Sequence, residues 1–262
     1  MIQHLSGQGK KTAGIVLRDA RELALMREAG RIVAKVHEAL RQALRPGIST
    51  SALDAIAEDV IRSHDAIPAF LGYHGFPASI CTSINDEIVH GIPSPERFLN
   101  EGDIISIDVG VTYRGWVGDS AWTYPVGEIG EDARALLEAA EGALWAGIEQ
   151  ARSGNRLGDI SAAIQAYAES RGFAIIREYA GHGVGRQMHE PPKILNYGQP
   201  GTGMRLRPGM TFALEPMVAV GHWLTRVDAD GWTVRTQDGS LSAHFEHTLA
   251  VTEGDPMIMT IL

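Results

Sequence analysis

An α+β fold of two similar halves around one shared cleft is predicted for this chain. Three observations predict it. Stretches with helical spacing of apolar residues lead into strand-rich stretches broken by glycine. That order occurs twice along the 262 residues, and no linker separates the two occurrences. A chain of this length buries roughly three quarters of its unfolded surface. We therefore expect a loose arm over residues 1–17 and a single domain over 18–262, its halves spanning about 18–130 and 131–262.

The arm is polar and glycine-containing, with Lys10 and Lys11 near its middle. From Asp19 to Leu44 the apolar residues Leu23, Met26, Ile32, Val33, Val36 and Leu40 recur at helical spacing, and Arg45-Pro46-Gly47 ends that helix. Ser49, Thr50 or Ser51 caps a second helix running to about His64, with Leu53, Ile56, Ala57 and Ile61 inward. Residues 69–89 are aromatic and β-branched, broken by Gly72, Gly75 and Pro77, and end at His90-Gly91-Ile92-Pro93. Two strands follow, about 103–112 and 116–126, joined near Tyr113-Arg114-Gly115. A long helix runs from about Glu131 to Ala151.

The second half repeats this order. Arg152-Ser153-Gly154 echoes Arg45-Pro46-Gly47, and a helix from Asp159 to Ser170 turns Ile160, Ile164 and Tyr167 inward. PGMTFALEP (208–216) echoes EGDIISIDV (101–109), and EHTLAVTEG (246–254) echoes DSAWTYPVG (119–127). This is an agreement of order more than of identity, and it is what suggests two α+β halves packed together.

The net charge of −9 disfavours non-specific nucleic-acid binding. With Cys81 as the one cysteine no internal disulfide forms, which fits a reducing compartment. The N-terminal residues lack the apolar run of a signal peptide, and no stretch approaches the ~20 apolar residues of a membrane span. A cytoplasmic protein is expected.

The chemistry centres on Tyr179–Tyr197, YAGHGVGRQMHEPPKILNY. Its three glycines and Pro191-Pro192 argue against a helix. A strand and tight turn would instead expose His182 and return His189 to the same cleft. The stretch matches neither phosphate-loop pattern, and His189-Glu190 alone does not make HExxH. Four carboxylates elsewhere give it meaning. If the hairpin turns through Tyr113-Arg114, Asp108 faces Asp119; a loop shifted by one residue makes them diagonal on the same face. Glu215 and Glu246 lie in strand-like, apolar segments on either side of an Asp230-Gly231 turn. Two buried carboxylate pairs need shared protons or cations. Oxygen ligands with one imidazole suit two bridged divalent ions.

HGIP at 90–93, the Asp108/Asp119 pair, YxGHGVGxxxHExxxILNY, the EPM of Glu215 and the FEHT of Glu246 together resemble type I methionine aminopeptidases. The resemblance covers residue 18 to the C-terminus. It implies the pita-bread fold, two pseudo-symmetric halves with antiparallel sheet and flanking helices around a dimetal cleft. The implied activity is hydrolysis of the N-terminal initiator methionine of nascent proteins and peptides, before a small second residue, by a metal-activated hydroxide. Asp108, Asp119, His182, Glu215 and Glu246 are implied as ligands of two divalent ions (Co, Mn, Fe or Zn), with Asp119 and Glu246 bridging.

By the same resemblance Glu215 shuttles a proton, His189 stabilises the oxyanion and His90 bonds the substrate near the scissile nitrogen. Tyr73, Phe76, Cys81, Met188 and Trp232 surround the methionine side chain. Asn85 and Ser242 resemble contributors to an auxiliary monovalent-cation site. The family also suggests a monomer. Lys10 and Lys11 could aid docking on the ribosome surface, although a passive tail is the simpler reading. Two other functions compete: a peptidase selective for Xaa-Pro, and a non-catalytic polypeptide-binding relative. His74, His222, His244 and His247 match no ligand position and are read as ordinary.

Overall fold

The computed structural model describes residues 14–262; Lys10 and Lys11 lie outside the described residues. In chain order the elements are α1 (Ala20–Ala43), α2 (Thr50–Ser63), β1 (Ile67–Pro68), β2 (Ile80–Ile84), β3 (Glu87–Val89), β4 (Ile104–Tyr113), β5 (Trp116–Pro125), α3 (Glu131–Gln150), α4 (Leu157–Glu169), β6 (Ala174–Ile175), β7 (Gly181–Gly183), β8 (Glu190–Ile194), β9 (Thr211–Leu214), β10 (Met217–Ala219), β11 (Thr225–Val227), β12 (Val234–Thr236), β13 (Ser242–His244), β14 (His247–Ala250) and β15 (Met257–Ile258).

The helix ends follow local chemistry. Asp19 caps α1 in a capping box with Glu22, and Ser49 caps α2 through the Ala52 N–H. On α1, Met26, Ile32, Val33, Val36 and Leu40 are buried, and on α2, Leu53, Ala57 and Ile61. All of these but Met26 form one core with the faces of β2, β4 and β5, while Met26 packs with Trp116 and Val117. Ile160 and Ile164 of α4, with Leu136, Ala140 and Leu144 of α3, form the equivalent core against Phe212, Leu214 and Leu249. Leu23, Ile56 and Tyr167 are only half-buried at the margins of these clusters.

The β4–β5 hairpin turns through Arg114 and Gly115, both at positive φ (49° and 77°), the two-residue turn that matches strand twist. Tyr113 therefore pairs with Trp116, Asp108 with Ala121 and Gly110 with Asp119. The two aspartates are diagonal neighbours on one face, not directly opposed. The turn lies one residue further along than Tyr113-Arg114, which moves the partner of Asp108 from residue 119 to 121 and gives the diagonal arrangement that a shifted loop allows. A turn at Tyr113-Arg114 would spare Arg114 nothing, while a glycine at the second central position relieves the positive φ there.

In the second half, β9 pairs with β14 (Leu214 with His247) and β10 with β13 (Met217 with His244). Both ladders share one register, in which positions 215 and 246 stand opposite each other between them. The Asp230-Gly231 turn closes β11 onto β12, with the Asp228 N–H bonded to Thr233 O at 2.8 Å.

The halves are joined along β5 and the β13–β14 segment. The Asp119 N–H donates to Thr248 Oγ1 (3.0 Å), whose hydroxyl donates to Asp119 O (2.8 Å). The Glu246 N–H donates to Ala121 O at 2.8 Å, and Thr123 Oγ1 to His244 O at 2.9 Å. Hydroxyl side chains thus supply bonds where neither ladder reaches, and one carboxylate from each half arrives at the same seam.

Candidate functional site

Asp119 and Glu246 are buried at this seam, while Asp108, His182 and Glu215 are half-buried and line a cleft. One ligand atom each from Asp119, His182 and Glu246 lies within 4.8 Å of the others. His182 Nε2 stands 3.4 Å from Glu215 Oε1 and 3.7 Å from Asp119 Oδ2. His182 sits in β7, and its Nδ1–H donates to Gly183 O at 3.0 Å. That bond fixes the tautomer, so the Nε2 lone pair points at the carboxylates.

Burial and the neighbouring His189 hold the His182 imidazole down at about 4, so it is neutral near pH 7. Burial pushes Asp119 up to about 7. Burial, then the charge of Asp119, pushes Asp108 well above the usual carboxylate range. Glu215 and Glu246 are raised in the same way, by burial and by both aspartates.

These side chains alone make a set of acceptors facing acceptors. Asp108 Oδ1, Asp119 Oδ1 and Glu246 Oε1 are buried without a hydrogen-bond partner. Each such atom costs ~1–3 kcal/mol. Four carboxylates, one neutral imidazole and three unpartnered oxygens fit divalent cations of the oxygen- and nitrogen-binding kind.

The cleft, about 270 Å³, continues from this cluster to Phe70, Tyr73, Phe76, Cys81, His90 and Trp232. Phe76 meets Trp232 edge to face at 5.2 Å. Trp232 is held by its turn: Asp230 Oδ1 accepts the Trp232 and Thr233 N–H groups at 2.8 and 2.9 Å. Arg235 fastens that hairpin to β3, bonding Glu87 at 2.5 Å and Asp86 at 2.7 Å. Cys81 is buried, and burial followed by the nearby carboxylates drives its thiol well above its ordinary value, so it is no nucleophile.

His189 is exposed at the cleft mouth, its ring 4.1 Å from that of His182, and the Tyr73 hydroxyl meets its Nδ1 at 2.9 Å. His90, at φ 63°, packs edge-on to Tyr179 and Trp232. Burial, then His189, holds His90 at about 4.

The metallopeptidase family M24 model matches residues 24–253. The chain is 54% identical to methionine aminopeptidase 1 of Bacillus subtilis over 94% of this chain and 99% of that one. The chain belongs to metallopeptidase family M24, among the methionine aminopeptidases. The match to the Clostridium acetobutylicum enzyme is 49% identical, over 94% of this chain and 99% of that one. The methionine aminopeptidase structure of Thermotoga maritima superposes with a TM-score of 0.94 at 44% identity, covering 95% of this chain and all of that one. The pita-bread fold follows from this likeness. The prolidase of Pyrococcus furiosus, at 22% identity and a TM-score of 0.73 over 94% of this chain and 65% of that one, shares the fold alone.

In this M24 chain eleven of the twelve residues singled out from sequence for the site line the one cleft. Met188 is the exception. It is buried beside Gly110 and lines an adjoining groove with Ala69, Thr112, Val117 and Arg186, which shares Tyr73 and His74 with the cleft. A Cβ on Gly110 would stand 2.6 Å from Phe70 Cε1 and 2.7 Å from Met188 Cε, so both side chains pack on the bare glycine, and of the two Phe70 lines the cleft. Sequence reasoning missed Phe70, although it stands in the aromatic stretch before Tyr73. His74, read as ordinary, also lines the cleft, and His244 Nε2 lies 3.9 Å from Glu215. His222 and His247 stand apart from the cleft lining, as read. Ser242 Oγ lies 3.3 Å from Asn85 O and 3.1 Å from Glu87 O, a compact set of oxygens.

Proposed function

We propose that this chain removes the N-terminal methionine from nascent proteins and peptides whose second residue is small, acting through two divalent ions. The observation that carries the reading is the continuity of one cleft. Its floor is the acidic cluster and its wall is an apolar, aromatic and sulfur-bearing pocket. An unbranched thioether suits such a wall through packing and sulfur–aromatic contact. The 54% identity to a methionine aminopeptidase over nearly the full chain supports the same substrate.

Asp108, Asp119, His182, Glu215 and Glu246 would hold the two ions, which we read as Co, Mn, Fe or Zn. Divalent ions held there would supply Lewis acidity and let water act as a nucleophile near neutral pH. The remaining work falls to side chains. The Tyr73 hydroxyl can donate to His189 Nδ1, which leaves the proton on Nε2, available to donate to the scissile carbonyl oxygen as charge develops. His90, kept neutral, can bond the substrate near the scissile nitrogen. Glu215, at the edge of the acidic cluster, is suited to carry a proton to the leaving amine. The free amine of the substrate would lie at this metal centre, a place that a blocked amine cannot take, so an acetylated methionine is excluded.

We read a monomer as the working unit, as the resemblance implies, with residues 18–262 as one catalytic domain. No helix among the described residues is long and apolar enough to cross a membrane; a nascent-chain substrate supports a cytoplasmic site of action. Docking on the ribosome surface through Lys10 and Lys11 concerns residues outside those described. Asn85, Glu87 and Ser242 supply oxygens that fit an auxiliary monovalent cation.

Cleavage of Met-Gly-Met against Xaa-Pro peptides tests the reading. Rapid release of methionine from the first with no cleavage of the second is expected. Preference for Xaa-Pro, or cleavage of N-acetylmethionyl peptide, would overturn it.

A further inference from the structure

Arg18, the residue before the Asp19 cap of α1, reaches the turn that precedes β8. The Arg18 N–H donates to Gly209 O at 2.7 Å, and its guanidinium lies 5.2 Å over the Trp116 ring. Arg18 Nη2 donates to Glu190 Oε2 across 172 positions of sequence, with 6% of the Arg18 side chain and 16% of the Glu190 side chain exposed. The other oxygen, Glu190 Oε1, accepts the Arg186 and Gln187 N–H groups at 2.9 and 3.1 Å. The Gly185 carbonyl accepts the Val117 N–H at 2.8 Å, tying the turn to β5. A side chain at Gly185 would overlap the Arg18 guanidinium and stand 2.8 Å from Glu190 Oε1.

The Glu190 carboxylate is thus shared between a buried cation and the backbone of the turn that delivers His189, the next residue back. A charge-assisted pair with both partners shielded from water resists displacement far more than an exposed one. Neither side chain lines the cleft. We propose that Arg18, through Glu190, is a positioning residue that sets His189 against Tyr73 and the acidic cluster. The proposal rests on the reading of His189 as the donor to the scissile carbonyl.

The test is a double-mutant cycle on the metal-loaded full chain, with a methionyl tripeptide as substrate. Arg18→Ala is expected to lower kcat by roughly 10- to 100-fold, the scale at which a 1 Å misplacement acts. KM and bound metal should stay near wild type. Arg18→Lys should recover most of the loss. In a His189→Ala background, Arg18→Ala should cost nothing further, because the group it positions is gone. A loss that multiplies in full in the double variant, or an unchanged kcat in Arg18→Ala, would overturn the proposal. Should Arg18→Ala fail to fold, Glu190→Gln serves. It keeps an oxygen for the turn N–H groups and removes the charge facing Arg18, and its loss should vanish in the same background. An unchanged kcat in His189→Ala alone would instead remove the oxyanion reading, and the proposal with it.

Discussion

Stripping the metals should make the chain less stable as pH rises from 6.5 to 8, and restoring them should remove that dependence. The carboxyls of Asp108, Glu215 and Glu246 are held well above their ordinary values and Asp119 is held at about 7, chiefly by burial. A group whose folded pKa is raised stabilises the folded chain fully below its unfolded pKa, and that contribution is lost as pH rises to the folded pKa. Each carboxyl protonated in the folded chain and ionised in the unfolded one contributes a slope of ~1.4 kcal/mol per pH unit.

The buried histidines act with the opposite sign. His37, His90 and His182 are held at about 4, and His244 and His247 at about 3. Their contribution is complete about one unit above 6.5 and lost as pH falls, so they partly cancel the carboxyls in acid and up to about pH 7.5. Asp119, held at about 7, contributes about 1.4 kcal/mol per unit up to that pH, and Asp108, Glu215 and Glu246, raised in the same direction, add to the loss. For a chain of this size each 1.4 kcal/mol is on the order of 3–6 °C of melting temperature. Bound cations take the place of the protons and remove the slope. Calorimetry of chelator-treated and reloaded protein at pH 6.5, 7.25 and 8 measures it. A flat or rising melting temperature in the stripped protein would show that these carboxylates are not held protonated in the folded chain.

Other outcomes are equally open to measurement. His189→Ala should lower turnover by ~10²-fold or more with metal content unchanged, whereas His182→Ala should lose metal, both read by kinetics and elemental analysis. Arg235→Ala leaves the fully buried Glu87 to Arg97 alone and frees the Trp232 hairpin; a loss of about 2 kcal/mol or more in urea unfolding and a raised KM for methionyl substrates are expected. Norleucine in place of methionine should cost only ~1–3 kcal/mol in kcat/KM. Met188→Phe, by pressing on Phe70, should narrow that tolerance without changing metal content. Deleting residues 2–12 should leave tripeptide cleavage intact.

Much of the fold was legible because its signals are local. Asp19, Ser49 and Pro46 mark helix ends where the backbone needs them, and the repeated order of the halves put Glu215 and Glu246 in the roles of Asp108 and Asp119. The acidic cluster was legible because buried carboxylates demand a partner wherever they occur. What escaped depends on close approach between distant segments. The diagonal placement of Asp108 and Asp119 turns on which of two neighbouring dipeptides takes positive φ. Met188 and Phe70 both pack on Gly110, where a Cβ would displace them, a property of a distant strand. Arg18 meets Glu190 across most of the chain, where no periodicity or motif points.

The central claim is that five side chains drawn from both halves hold two divalent ions at the seam. Crystals grown with manganese, with data collected to give its anomalous signal, test it most directly. Two anomalous peaks are predicted among Asp108, Asp119, His182, Glu215 and Glu246. A single peak at full occupancy of the crystal's manganese, or peaks ligated by other residues, would contradict the account.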